Sequence, residues 1–327
     1  MIRHSPILLV PLLLALAIAA ATAQPIYPLF PARPVRVVVA FPPGGAADLI
    51  TRAIAQRLAT IWRQPVVVEN RGGDGTQVGA QHVASSQADG YTLLATAQGT
   101  FAINPYLYKN LRYDVSQFTA VSGMGAVDQV LVMSPAVPLR GMKEMIAYAK
   151  GRPSELSYGT VGPGTAGRLN MEMFQSKAGV KLNALQYDGG ALVLSDIIRD
   201  KLPMGFVSLA AASQALKALE LRPLGVSGTA RNPQFPAVPT IAEAGVRGFD
   251  SSTWFGLFAP RETPPQVVGK VNADVQRVLA DPAFQNQFLR PNFFDPIVGT
   301  PRDFAAFVRR EATKWSAVLG DGKFSIE

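Results

Sequence analysis

The sequence predicts an α/β fold of two domains facing each other across a cleft. Three observations carry that expectation. Short apolar, β-branched runs alternate with helix-like segments along the 327-residue chain, the pattern of α/β units. The runs are apolar throughout, as in parallel strands covered by helices on both faces. Two strand–loop–helix junctions of one kind, residues 41–48 and 157–171, stand about 120 residues apart. Their spacing puts one junction in each domain.

The first segment is read as a leader. Arg3 and His4 make a basic start, the apolar run ILLVPLLLALAIAA fills 7–20, and Ala21-Thr22-Ala23 precedes Gln24. That is a secretory signal peptide, residues 1–23, with cleavage expected after Ala23. Its 14-residue apolar run is short of the ~20 residues a membrane span needs. The mature chain is therefore expected to be soluble and exported, with a net charge of +7 once Arg3 is removed.

VRVVVAF (35–41) reads as the first strand, and FPPGGAAD (41–48) as the loop after it. AADLITRAIAQRLATIW (46–62) reads as a helix, with Ile50, Ala53, Ile54, Leu58 and Ile61 on one face. A helix N-terminus exposes unpaired N–H groups and the positive end of its dipole, a site that suits phosphate or carboxylate. The loop lacks the Lys-Ser/Thr of a P-loop, so β/γ-phosphates and magnesium are not provided for. Asp48 in the first turn either offsets the dipole or holds a water or a ligand ammonium.

Further strands are expected at 65–70, 91–96, 130–135, 156–161, 182–187, 204–209, 221–228 and 254–260. The second junction, SYGTVGPGTAGRLNM (157–171), contains Gly162, Gly164 and Gly167 as GxGxxG, with Asp188 ending the next strand. Glycines and acid have the spacing of a dinucleotide fingerprint. A dinucleotide-linked oxidoreductase is thus the alternative function. It stands second, because Pro163 constrains φ where the tight turn forms and an exported protein rarely meets a nicotinamide pool. Read plainly, the junction is another anion site with donors near Gly164, Thr165 and Ala166. Capping-box patterns at Thr240–Glu243, Thr263–Gln266 and Thr300–Asp303 mark helix starts. The last opens a C-terminal helix with Phe304, Phe307, Val308, Trp315 and Val318 as its stripe.

Composition excludes several classes. With no cysteine there is no disulfide, thiolate metal site or thiol nucleophile. His82 is the only histidine beyond the leader. In its helix-like surroundings it reads as an ordinary half-buried or surface residue, since triads and zinc sites need convergent partners. The basic residues are scattered, which argues against a nucleic-acid partner and fits a receptor for anions. No cofactor, metal or catalytic residue is expected.

YPLFPARPVRVVVAFPPGGAADLITRAIAQRLA (27–59), QPVVVENRGGDGTQVGAQHVA (64–84), LSYGTVGPGTAGRLNMEMF (156–174), RNPQFPAVPTIAEAGVRGF (231–249) and WFGLFAPRETPP (254–265) together resemble the periplasmic solute receptors of the tripartite tricarboxylate transporter family, often called Bug receptors. The resemblance implies a type II periplasmic-binding fold with a discontinuous domain 1, residues 24–127 and 251–327, and domain 2 at 128–250. It implies a monomeric, non-enzymatic receptor for a small organic carboxylate, delivered to membrane permease subunits. Backbone amides of Pro43, Gly44, Gly45 and Ala46 beside Phe41, and of Gly164, Thr165 and Ala166, are then the carboxylate site. Thr96, Ala97 and Gln98 add contacts, and Trp254 either walls the cleft or packs in the core. The sequence departs from the family at Arg168, where His is common, and at Asp188, where Tyr-Lys-Gly is usual. Asp188 either lines the pocket, favouring a ligand with an ammonium or hydroxyl group, or is solvated.

Overall fold

The structure, a computed structural model, describes residues 30–162 and 165–320. The leader and Gly164 lie outside the described residues. The chain first lays down β1 (Val35–Val39), β2 (Val66–Asn70), β3 (Thr92–Ala97) and β4 (Phe118–Val127). It continues as β5 (Gln129–Met133), β6 (Ser157–Thr160), β7 (Asn183–Gln186), β8 (Met204–Ser208) and β9 (Arg222–Val226), and ends with β10 (Thr253–Pro260) and β11 (Phe294–Asp295). Two sheets result, ordered β11-β4-β10-β3-β1-β2 and β7-β6-β8-β5-β9. The chain passes from the first sheet to the second at Asp128 and returns between β9 and β10.

The helices used below are α1 (Ala46–Trp62), α2 (Gln77–Ala84), α3 (Met142–Gly151), α4 (Ala166–Ala178), α5 (Gly190–Ile198), α6 (Leu209–Lys217), α7 (Pro265–Ala280) and α8 (Pro301–Leu319). The predicted stripe on α1 buries Ile50, Ile54 and Leu58 against the first sheet, and Arg63 in a left-handed conformation ends the helix. Valines of β1 point alternately into two cores. Val35, Val37 and Val39 meet α1 and α7, while Val38 meets α2 and α8. The second sheet is covered the same way, by α5 and α6 on one face and by α3 and α4 on the other. None of the described helices is long and apolar enough to cross a membrane.

All nine predicted strands form, but the sheets are mixed rather than parallel. β1 runs parallel to β2 and β3, and β6 to β7 and β8. β10 lies antiparallel between β3 and β4, and β5 antiparallel between β8 and β9. These are the strands next to the crossings, which enter their sheets without the helical crossover that parallel pairing demands. β4 and β11 escape the sequence pattern. β4 carries Gly123 and Gly125, which lower strand propensity. Both are needed because Ile297 packs onto the first and the Asp295 carbonyl lies 3.2 Å from where a Cβ on the second would stand.

Of the three capping boxes, only Thr300–Asp303 opens a helix with both reciprocal bonds. Thr240 and Glu243 exchange their bonds (2.8 and 3.1 Å), yet these close a single turn that Gly245, at φ +124°, terminates. Thr263 does not cap at all. α7 starts from Pro264, and the buried Thr263 Oγ1 has no partner.

Candidate functional site

The 41–48 loop is held open by its own aspartate. The Asp48 carboxylate is buried and accepts the Gly44 N–H at 2.9 Å, Asn70 Nδ2 at 2.8 Å and Arg52 Nε at 2.9 Å. Burial pushes this carboxyl up, but the hydrogen bonds from Arg52, Gly44 and Asn70 outweigh it and hold it below its usual range. Gly44 sits at φ +85°, a conformation that favours glycine. Asp48 therefore shapes the loop, its acceptors are occupied, and the Gly44 amide points at it rather than outward.

The second junction is set by Thr165, the N-terminal flank of α4. Its Oγ1 donates to the Gly162 carbonyl at 2.8 Å, with Gly162 at φ +138°. Gly167 is demanded by packing, since an added Cβ would stand 3.1 Å from the Phe206 carbonyl oxygen. β6, α4 and β7 make the parallel βαβ unit that the glycine pattern asks for.

Between the lobes lies a cavity of about 590 Å³. The first lobe contributes Phe41, Gly75, Thr76, Ala97, Gln98 and Tyr108, and the second contributes Val161, Gly162, Thr165, Ala166 and Leu169. No charged side chain lines it among the described residues. It shares Val161, Thr165 and Ala166 with a second cavity of about 380 Å³, which shares Ser208 with a third of about 270 Å³ lined by Ala46 and Asp128. The 380 Å³ cavity is lined by second-lobe residues alone, and the 270 Å³ one lies where the lobes meet beside the first crossing. A cavity of about 550 Å³ beside Arg290 and Gln234 holds none of the predicted residues.

Phe41, Ala97, Gln98, Thr165 and Ala166 are thus brought together in the 590 Å³ cavity, whereas Ala46 lines the separate 270 Å³ one. Gln98 is 3 % exposed, and its Oε1 has no hydrogen-bond partner. Pro43, Gly44 and Gly45 are exposed on the loop and line none of these cavities. Thr96 stands behind the wall, bonded to Thr100 at 2.6 Å. Trp254 is core rather than wall. It is 1 % exposed, packs edge-on against Phe304 and Phe307, and donates Nε1 to Glu311 at 3.1 Å. Asp188 is exposed beyond β7, the edge strand of its sheet, and lines none of these cavities.

Sequence reasoning overlooked a third loop, at 72–77 between β2 and α2. Gly73, Asp74, Gly75 and Thr76 all have positive φ. The turn is held by Asn104 Nδ2 on the Gly75 carbonyl (2.7 Å) and by the Thr76–Thr100 hydroxyl pair (2.8 Å). The Tyr113 hydroxyl donates to the Thr100 carbonyl at 2.6 Å, and burial pushes its pKa up to about 12. The run RGGDGTQ was the available signal, because ligands in α/β sheets bind beyond the carboxyl ends of parallel strands.

Two α/β lobes joined by two crossings, with a cleft walled by both, define a two-lobed solute-binding protein. The model of the family described as "Tripartite tricarboxylate transporter family receptor" matches residues 50–322. The protein BugT of Bordetella pertussis is 32% identical over 292 residues, covering 89% of each chain. The solved structure of Rhodopseudomonas palustris Rpa4515 with adipate superposes with a TM-score of 0.75 at 35% identity, covering 88% of this chain and 97% of that one. MatC (Rpa3494) of the same species, with bound malate, gives 0.73 at 28% identity, covering 89% and 100%. The chain belongs to the tripartite tricarboxylate transporter receptor family, a family of periplasmic solute receptors and not of enzymes.

Proposed function

We propose that the chain is a periplasmic receptor that takes a small organic carboxylate into the interlobe cleft and passes it to a membrane permease. The observation that carries this reading is the 590 Å³ cavity, walled by both lobes and opening on the N-terminus of α4 without any charged side chain among its described lining. Backbone N–H groups and the helix dipole are then the donors for an anion. Residues 24–127 with 251–327 act as one lobe and 128–250 as the other, closing by hinge motion at the crossings. The relatives' ligands, adipate and malate, lend support to a carboxylate. Export of a monomer that begins at Gln24 completes the reading.

The test is a thermal-shift and calorimetric panel of mono-, di- and tricarboxylates, amino acids, sugars and NAD on refolded protein. A carboxylate at 100 times its Kd should add about 2.7 kcal/mol of stability. Ala166→Phe, which fills the cavity mouth, should abolish that gain while leaving the unliganded melt intact. Stabilisation by NAD alone would overturn the receptor reading in favour of the fingerprint at 162–167.

A further inference from the structure

The basic residues are scattered in the sequence, but the fold gathers many of them on one side. α3 and α4 cover one face of the second sheet, α8 lies on a face of the first, and the three share a core in which Trp315 and Leu319 of α8 join Phe174 and Phe249 of the second lobe. Lys314 on α8 reaches the Asp250 carboxylate at 3.4 Å. The Lys177 ammonium, in the last turn of α4, stands 3.5 Å from the place a Cβ on Gly248 would take. Lys150 Cε, near the end of α3, is 4.0 Å from the same point on Gly179, and the Lys181 carbonyl accepts the Ser154 N–H at 2.8 Å. One surface thus runs from α3 and α4 across the 247–250 loop to α8, over both lobes.

Residues 142–155, 166–181, 247–250 and 301–319, which build this surface, carry 11 basic and 6 acidic side chains, +5 of the chain's +8. Four of the acids, Glu155, Glu172, Asp250 and Glu311, are neutralised by Arg152, Arg168 and Lys314. The other two, Glu144 and Asp303, accept backbone N–H groups at the starts of their helices. Lys150, Lys177, Lys181, Arg247, Arg309 and Arg310 are exposed and make no ion pair among the described residues. The large apolar side chains that the fold exposes, Leu49, Leu192 and Val298 among them, all lie off these segments. A specific protein interface is centred on apolar and aromatic anchors. Charge without such an anchor suits a surface on which negative charge is spread out, as on an anionic leaflet.

We propose that this face docks reversibly on anionic lipid headgroups, holding the protein against a membrane by charge alone. Each Lys or Arg near such a leaflet favours binding about fivefold. The attraction fades over a Debye length, about 10 Å at 0.1 M salt and about 3 Å at 1 M. The face and the cavity stand at opposite ends of one helix. α4 lines the cavity with Ala166 and Leu169 in its first turn and carries Lys177 in its last. Docking therefore leaves the α4 N-terminus free.

The experiment is co-sedimentation of the purified mature protein with phosphatidylcholine vesicles, alone or with one third of phosphatidylglycerol. At about 0.1 M salt only the anionic vesicles should retain the protein, and about 1 M salt should release it. Lys150→Gln, Lys177→Gln and Arg310→Gln together should lower the partition coefficient about 100-fold. Arg199→Gln, Lys201→Gln and Arg277→Gln remove the same charge from exposed sites on or beside α5 and α7, which cover the opposite sheet faces. They should change it less than about fivefold. The lipid and salt comparison with the wild type stands even if a variant does not fold. Equal loss in the two triple variants would assign the binding to net charge and overturn the proposal. So would binding that ignores salt, or equal binding to neutral vesicles. No binding to the anionic vesicles would overturn it in favour of an acidic protein. Each readout is taken without solute, so the carboxylate reading stands or falls separately.

Discussion

Replacing Asp48 with alanine is expected to destabilise the unliganded protein by about 2–4 kcal/mol. The carboxylate is buried and accepts three donors, Gly44 N–H (2.9 Å), Asn70 Nδ2 (2.8 Å) and Arg52 Nε (2.9 Å). Hydrogen bonds to a charged acceptor are each worth about 1.5–3 kcal/mol net, and three on one group do not add fully. Arg52 is half exposed, so its share shrinks towards the ~0.5 kcal/mol of a surface pair. An acid in the first helical turn adds about 0.5 kcal/mol. Asn70 keeps its bond to the Phe41 carbonyl (3.1 Å) in the variant, which limits the loss. Urea unfolding at pH 7 reads the difference, and a cycle with Asn70→Ala should return a coupling of about 1 kcal/mol. The sign with pH is fixed by the depressed folded pKa. The stabilisation is present above the unfolded value near 3.9 and is lost as pH falls through the folded value, so wild type and variant converge only in strong acid. A difference under about 0.5 kcal/mol at pH 7, or full additivity with Asn70→Ala, would refute the clamp.

Asp128 should behave with the opposite sign. Its folded pKa, raised by burial to about 6, exceeds the unfolded one, so the group destabilises the unliganded protein above pH 6 and ceases to as pH falls towards 4. Asp128→Asn should therefore gain stability over the wild type by about 2–3 kcal/mol at pH 8 and lose most of that gain at pH 4, in paired thermal melts. Gly75→Ala forces a side chain onto φ +61° and into the Tyr108 hydroxyl. It should cost about 1–3 kcal/mol in denaturant melts and weaken ligand binding, because both residues line the cleft. Thr300→Ala removes the capping box that opens α8 and should cost about 1 kcal/mol in the same melts, without changing affinity.

Local pattern carried much of the fold. β1 and α1 were legible because Val35, Val37 and Val39, and then Ile50, Ile54 and Leu58, repeat at the spacing of their own element. Each repeat encodes which face is buried. The two junction loops were legible because glycine at a strand-to-helix boundary has few other uses. What escaped depends on neighbours distant in the chain. Gly123 and Gly125 read as weak strand residues until Ile297 and Asp295 are seen packed on them. Thr263 looks like a cap and is not one, because the helix starts beyond it.

The site divides in the same way. Phe41, Ala97, Gln98, Thr165 and Ala166, expected from the junction loops and the family resemblance, line the 590 Å³ cavity because each stands at or just beyond the carboxyl end of a strand. Trp254 and Asp188 could not be placed, because burial is decided by what packs on them from other elements. The Trp254 environment is made by α8, 50 residues further along the chain, and Asp188 is exposed because β7 falls at a sheet edge. Asp128 meets its partners Ser227 and Ser252 only where the two crossings come together. The sequence alone determined the class of fold, the two strand–loop–helix junctions and the family resemblance, all written in spacings of a few residues. Only the tertiary structure decided which acid is buried where the two crossings meet, because that depends on contacts across 99 and 124 residues of chain, which no local pattern records.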